Sequence, residues 1–183
     1  IQEKRTQYHL ENKYVILGVA SYWDEKKGFT KFLELSRYLS EDEQIVLVGE
    51  TPEKSVMAEN ITLISKTESV EKLAEIYGMA DVFVTFSKEE SFGKVSAEAL
   101  ACGTPVICYN CTANPELVGR DCGVVLEQDN VEDAVAAIVQ IREKGKDFYT
   151  EKCAAWAKQQ FSIKNCIEQY MDIYRRLIEM KKE

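Results

Sequence analysis

Short apolar runs alternate with stretches of helical periodicity along most of this chain. That alternation constrains the fold more than any other feature. Residues 14–20 (YVILGVA), 44–49 (QIVLVG), 61–64 (ITLI), 81–86 (DVFVTF), 104–109 (TPVICY) and 123–127 (GVVLE) read as strands. Helical spacing of apolar residues covers 27–39, 70–80, 93–102 and 131–144, with a short helix at 115–118 and Asn130 placed to cap the longest helix. Strands that are apolar throughout and separated by helices form a parallel sheet covered on both faces. The expectation is a single Rossmann-like, doubly wound α/β domain of about six strands. Ligands in such folds sit outside the carboxyl ends of the strands, so function is sought just after each strand.

Composition narrows the partners. The 183 residues suit one domain, and 45% hydrophobic with 30% charged residues argues against disorder. With 23 basic and 31 acidic residues the net charge is −8, which disfavours a nucleic-acid backbone. No run approaches the roughly 18 apolar residues of a membrane span. The chain opens on Ile1 without a leader, which reads as a piece of something longer. Of the six cysteines, Cys108 and Cys111 have half of a zinc spacing, but no second pair follows and His9 lies far upstream. Reduced thiols in a cytoplasmic protein, with no metal, are expected.

The two ends differ from the middle. Residues 1–13 are polar and read as an interdomain linker or leading segment with a short helix, ahead of a domain spanning 14–183. Residues 148–161 and 162–182 read as two consecutive closing helices. In the second, Ile167, Tyr170, Met171, Tyr174, Leu177 and Ile178 form an apolar stripe at helical spacing. Packing on the sheet's flank is the favoured reading, and docking onto an absent domain is the sharper alternative.

Two strand ends carry chemistry. After the first strand, Ser21 to Gly28 includes Lys26 and Lys27 at the start of a helix, where free amides and the helix dipole suit a phosphate. The same turn also reads as a solvated surface turn. Neither a GxGxxG fingerprint nor a Walker A motif is present. After the fourth strand, Gly93 opens a nearly apolar helix, so the amides of Phe92, Gly93, Lys94 and Val95 can face an anion. Glu98 is the acid of that helix, and it either binds ligand hydroxyls or pairs with Lys94 one turn away. Glu90 precedes the helix, where the dipole favours an acid with or without a function. Two acids flanking a helix N-terminus suit a nucleotide diphosphate sugar.

The stretch ESFGKVSAEALACGTPVI, with Glu90-x7-Glu98, resembles the E-x7-E signature of retaining GT-B glycosyltransferases, the group 1 (GT4) family. ADVFVTFS before it, NPELVG after it and GVASYWDEKKGF earlier extend the resemblance over roughly residues 14 to 127. The resemblance implies that this chain is one half of a GT-B fold, the donor-binding C-terminal domain, and that the N-terminal acceptor-binding domain is its missing partner. It implies transfer of a sugar from a UDP- or GDP-sugar with retention, in polysaccharide or glycoconjugate synthesis, without a cofactor. It leaves open peripheral membrane association of the full-length enzyme. Carried over by residue, Glu98 binds the donor ribose and Glu90 contacts the sugar. The Phe92-Gly93-Lys94-Val95 backbone holds the diphosphate, and Lys27 neutralises the leaving phosphate. Gly18 and Gly49 close the cleft, and Ile64, Ser65 and Lys66 lie by the base. Ser21 stands where the family usually has an Arg, with Lys26 as the nearby cation, and Ser91 replaces a common glycine.

The competing reading is a stand-alone nucleotide-binding or regulatory module without catalysis. A receiver-type domain would need an acidic cluster at strand carboxyl ends, but Asp81 begins its strand. A nicotinamide dehydrogenase would need the missing glycine fingerprint.

Overall fold

The computed structural model describes residues 2–51, 58–127 and 129–180. Ile1, and Lys181 and Lys182 of the expected final helix, lie outside them. Six strands, β1 (Tyr14–Tyr22), β2 (Glu43–Glu50), β3 (Ile61–Ile64), β4 (Val82–Val84), β5 (Val106–Tyr109) and β6 (Gly123–Leu126), form one sheet in the order β3-β2-β1-β4-β5-β6. Every pairing is parallel. The central strands are buried on both faces, as their unbroken apolar runs require.

The helices are α1 (Gln2–Gln7), α2 (Phe29–Leu35), α3 (Val70–Met79), α4 (Lys94–Ala101), α5 (Asn114–Leu117), α6 (Val131–Lys144), α7 (Lys146–Phe161) and α8 (Ile163–Met180). Asn130 caps α6 as expected, its side chain accepting from the Asp133 amide at 2.7 Å. Two elements are markedly shorter than expected. Helix α2 starts at Phe29 rather than residue 27, because Gly28 takes a left-handed conformation as its N-cap. Beyond Leu35 the chain continues as turns, with the Ser36 hydroxyl donating to the Leu33 carbonyl. The fourth strand shrinks to Val82–Val84. Asp81 stands just ahead of it and has another task. Its carboxylate accepts from the Val15 amide and from Arg5, both at 2.7 Å. Arg5 also donates to the Met79 and Lys13 carbonyls, so the leading segment is tied to the sheet's amino end. Asp81 is thus structural, at the end of the sheet opposite the strand carboxyl ends.

The tail corrects the packing reading. Two helices follow α6 as expected, but α8 buries none of its residues. Ile167, Tyr170, Met171, Tyr174, Leu177 and Ile178 are all exposed along one face. All six cysteines are free, with Cys108, Cys122 and Cys153 buried. Burial pushes the Cys108 thiol up to about 12.

Two predictions follow from this packing. A Cβ at Gly18 would come within 2.7 Å of Phe32 and 2.9 Å of both Leu47 and Trp23. Gly18→Ala is expected to cost about 1–3 kcal/mol in urea denaturation through overpacking, and a wild-type midpoint contradicts it. Lys146 donates to the Gly78 and Ala80 carbonyls at the end of α3, and burial pulls its ammonium down to about 8. An unfolded lysine titrates near about 10.4. Between these values the unfolded chain binds the extra proton, so stability rises with pH there. Denaturation from pH 8 to 10 should show wild type gaining stability relative to Lys146→Met, and parallel profiles contradict this.

Candidate functional site

The strand order reverses between β1 and β4, so a crevice opens at their carboxyl ends. Its floor is aromatic. Trp23, buried, donates from Nε1 to the Val48 carbonyl at 3.1 Å and meets Phe32 edge-on at 5.3 Å. Phe32 meets Phe86 at 4.9 Å. Gly28 lies directly on this floor, where a Cβ would fall 2.3 Å from the Phe86 Cβ, and its φ is +77°. No L side chain meets both demands, so glycine is required. Asp24 accepts from the Lys27 amide at 2.8 Å. Lys27 is therefore fixed in the turn ahead of α2 and not in the helix itself.

From that turn Lys27 reaches across the crevice. Its Nζ lies 2.6 Å from Glu90 Oε1 and 3.5 Å from Ser87 Oγ. The Glu90 side chain is 15% exposed and that of Lys27 39%. The two residues, 63 apart in sequence, form a short charge-assisted hydrogen bond at the switch point. Lys26, Lys27, Ser87 and Lys88, with Glu25 and Glu89, line a cleft of about 390 Å³ here. Three of those six side chains are lysines, of which Lys27 pairs with Glu90 and Lys88 with Asp129.

Next to this cleft stands the N-terminus of α4. Gly93 caps it with φ +80°, and a Cβ there would lie 2.5 Å from Leu117 Cδ1. The Ser96 and Ala97 amides donate to the Gly93 carbonyl at 3.0 and 3.2 Å. The amides before them stand at the open, positive end of the helix. Phe92 and Lys94 are exposed, and Val95 is half-buried.

Glu98 lies on the far side of this helix end. Its Oε2 accepts from the Tyr77 hydroxyl at 3.0 Å, so Tyr77 rather than Lys94 is its partner. Tyr77 is 1% exposed, and burial, reinforced by Glu98, raises its phenol well above the usual range. It remains a donor. Phe92, Lys94, Glu98, Lys158 and Phe161 help to line a second cleft of about 570 Å³ between α4 and α7. The α4 N-terminus thus separates two clefts, with the Lys27–Glu90 pair at one and Glu98 at the other.

The other expected residues scatter. Gly18 is buried, and a Cβ there would meet Phe32, Leu47 and Trp23. Gly49 stands at a bulge where Ala20 and Ser21 of β1 oppose it, its missing Cβ making room for the Ala20 carbonyl. Ser21 is exposed at the end of β1, as is Lys26 in the following turn. Ile64 is buried, while Ser65 and Lys66 are exposed past the carboxyl end of β3, two strands from the switch point. Sequence reasoning missed Ser87, Lys88 and Tyr77. The first two were legible as residues following a strand. The Tyr77–Glu98 bond has no local signal.

A parallel sheet thus carries a helix N-terminus, a lysine and Glu90 at its switch point, with Glu98 on the far side of the same helix. The family model described as "Glycosyl transferases group 1" matches residues 13–144. The chain belongs to that family. It is 38% identical over 109 residues, 58% of this chain and 28% of the relative, to O-antigen chain mannosyltransferase B of Escherichia coli. In structure it is similar to Anabaena HepE in complex with UDP, with a TM-score of 0.77 at 17% identity, over 96% of this chain and 52% of that one. It is also similar to sucrose-phosphate synthase from Thermosynechococcus elongatus, with a TM-score of 0.78 at 24% identity, over 98% and 49%. The chain therefore spans about half the length of these structures and less of the curated relative. Among the described residues no helix is long and apolar enough to cross a membrane.

The Tyr77–Glu98 bond gives the site a stability test. Tyr77→Phe is expected to cost about 1–3 kcal/mol in urea denaturation, the range for a bond to a carboxylate. An unchanged unfolding midpoint contradicts that account of Glu98.

Proposed function

We propose that this chain is the donor-binding half of a glycosyltransferase that moves a sugar from a UDP- or GDP-sugar to an acceptor with retention of configuration. The observation that carries this reading is the Lys27–Glu90 pair meeting at 2.6 Å beside the α4 N-terminus, at the switch point of a family-matched sheet. In the proposed complex the diphosphate lies against the backbone of Phe92, Gly93, Lys94 and Val95. Donor binding separates Lys27 from Glu90. Lys27 then faces the phosphate oxygens that gain charge as the sugar–phosphate bond breaks, and the helix end adds its dipole. Glu90, freed from Lys27, turns to the sugar hydroxyls. Glu98 accepts from the ribose while Tyr77 holds it in place, and Ser65 and Lys66 lie toward the base. Lys26 and Lys88 supply further positive charge in place of an arginine at Ser21.

The acceptor and the rest of the active site belong, in this reading, to an N-terminal half. The exposed stripe of α8 supports that division, because six large apolar side chains on one helix face need a cover. The isolated chain binds donor weakly and does not turn over. Full-length chemistry then takes place in the cytoplasm, on polysaccharide or glycoconjugate precursors.

Calorimetry with UDP, GDP and their glucose and mannose conjugates tests the proposal. One base series should bind, Lys27→Met should weaken it about 10-fold or more, and Glu98→Ala should weaken it similarly. Binding of an unrelated nucleotide, with no affinity for any sugar nucleotide, would favour the regulatory module instead.

A further inference from the structure

Glu90 sits in an irregular loop, yet its carboxylate meets Lys27 at hydrogen-bond distance with little exposure. Something outside the loop must hold it there. Four contacts run to the 87–90 loop from the turn after β5, residues 110–113, and from Asn114 at the start of α5. Asn114 Nδ2 donates to the Ser87 carbonyl at 3.3 Å, and Cys111 Sγ donates to the same oxygen at 3.5 Å. The Thr112 hydroxyl accepts from the Glu90 amide at 3.0 Å. The Ala113 amide donates to the Glu90 carbonyl at 3.4 Å. Glu90 is thus held at both its N–H and its C=O by two consecutive residues of another strand's loop.

Thr112 makes this contact from a left-handed backbone, φ +49°. A β-branched residue there is a conformational outlier. Such strain persists where the surroundings enforce it, and here it aims the Thr112 hydroxyl at the Glu90 amide. Asn114, 1% exposed, anchors the turn from below.

We propose that Thr112 is a positioning residue for Glu90. It touches neither donor nor Lys27, and it acts by fixing the backbone from which the Glu90 carboxylate reaches the crevice. Its consequence for donor recognition rests on the proposed sugar contact of Glu90, whereas its effect on the loop does not.

The test compares Thr112→Val, which keeps the branch and loses the acceptor, with Thr112→Ser, which keeps the acceptor. Amide hydrogen exchange on the 183-residue chain is read at Glu90 and in the core strands. In Thr112→Val the Glu90 amide should exchange about fivefold faster or more, with β1 and β2 unchanged, and Thr112→Ser should restore wild-type exchange. The same variants are titrated with UDP-glucose, GDP-mannose, UDP and GDP. The preference for sugar nucleotide over nucleoside diphosphate should fall in Thr112→Val to the level of Glu90→Gln and recover in Thr112→Ser. Wild-type exchange at Glu90 in Thr112→Val overturns the proposal, as does failure of serine to rescue. If Glu90→Gln leaves the sugar preference unchanged, the sugar contact is wrong. The exchange data then decide the role of Thr112 alone.

Discussion

Lys27 and Glu90 meet because β1 and β4 are neighbours, and the account of this protein depends on that adjacency. Placing β1 beside β4 sends β2 and β3 to one side and β5 and β6 to the other. The two loops that leave β1 and β4 then cannot cross over the sheet and must part. The crevice between them is the consequence. Gly28 seated on Phe86 draws the first loop down onto the second strand's end, which brings a lysine within 2.6 Å of an acid far away in sequence. Removing that contact would leave the α4 N-terminus as one helix end among several.

The site is built in layers of decreasing rigidity. Beneath lies an aromatic floor of Trp23, Phe32 and Phe86 in edge-to-face contact. Above it, Gly28 takes a left-handed backbone against Phe86, and Gly93, also left-handed, turns the second loop against Leu117. The charged side chains come last and are the most exposed. This ordering suits a site in which an ion pair made in the free protein is exchanged for contacts to a ligand.

How much could be read beforehand depended on whether the deciding interaction was local. The strands were legible because burial on both faces demands unbroken apolar runs, and β3 and α6 fall at the expected residues. Glu90, Glu98 and the Gly93 helix opening were legible from their spacing around a strand end and from the family resemblance. What escaped was long-range. Tyr77 reaches Glu98 from another helix, and Thr112 reaches Glu90 from another loop. A left-handed threonine leaves no mark in a sequence. Gly18 was assigned to the cleft by the family resemblance, and Phe32, Leu47 and Trp23 pack closely around it. The periodicity of α8 was correct, but periodicity reports only that a face is apolar, not what covers it, and among the described residues nothing buries it.

The central claim is that a nucleoside diphosphate binds at the α4 N-terminus opposite Lys27. Amide chemical-shift mapping of the chain titrated with UDP or GDP tests it most directly. The account predicts that the largest saturable shifts fall on Gly93, Lys94, Val95 and the turn around Lys27 and Gly28. They should be lost in Lys27→Met, while residues of α6 stay unmoved. Saturable shifts centred elsewhere, such as the surface around Lys13, Gln44 and Asn60 at the opposite end of the sheet, would contradict it.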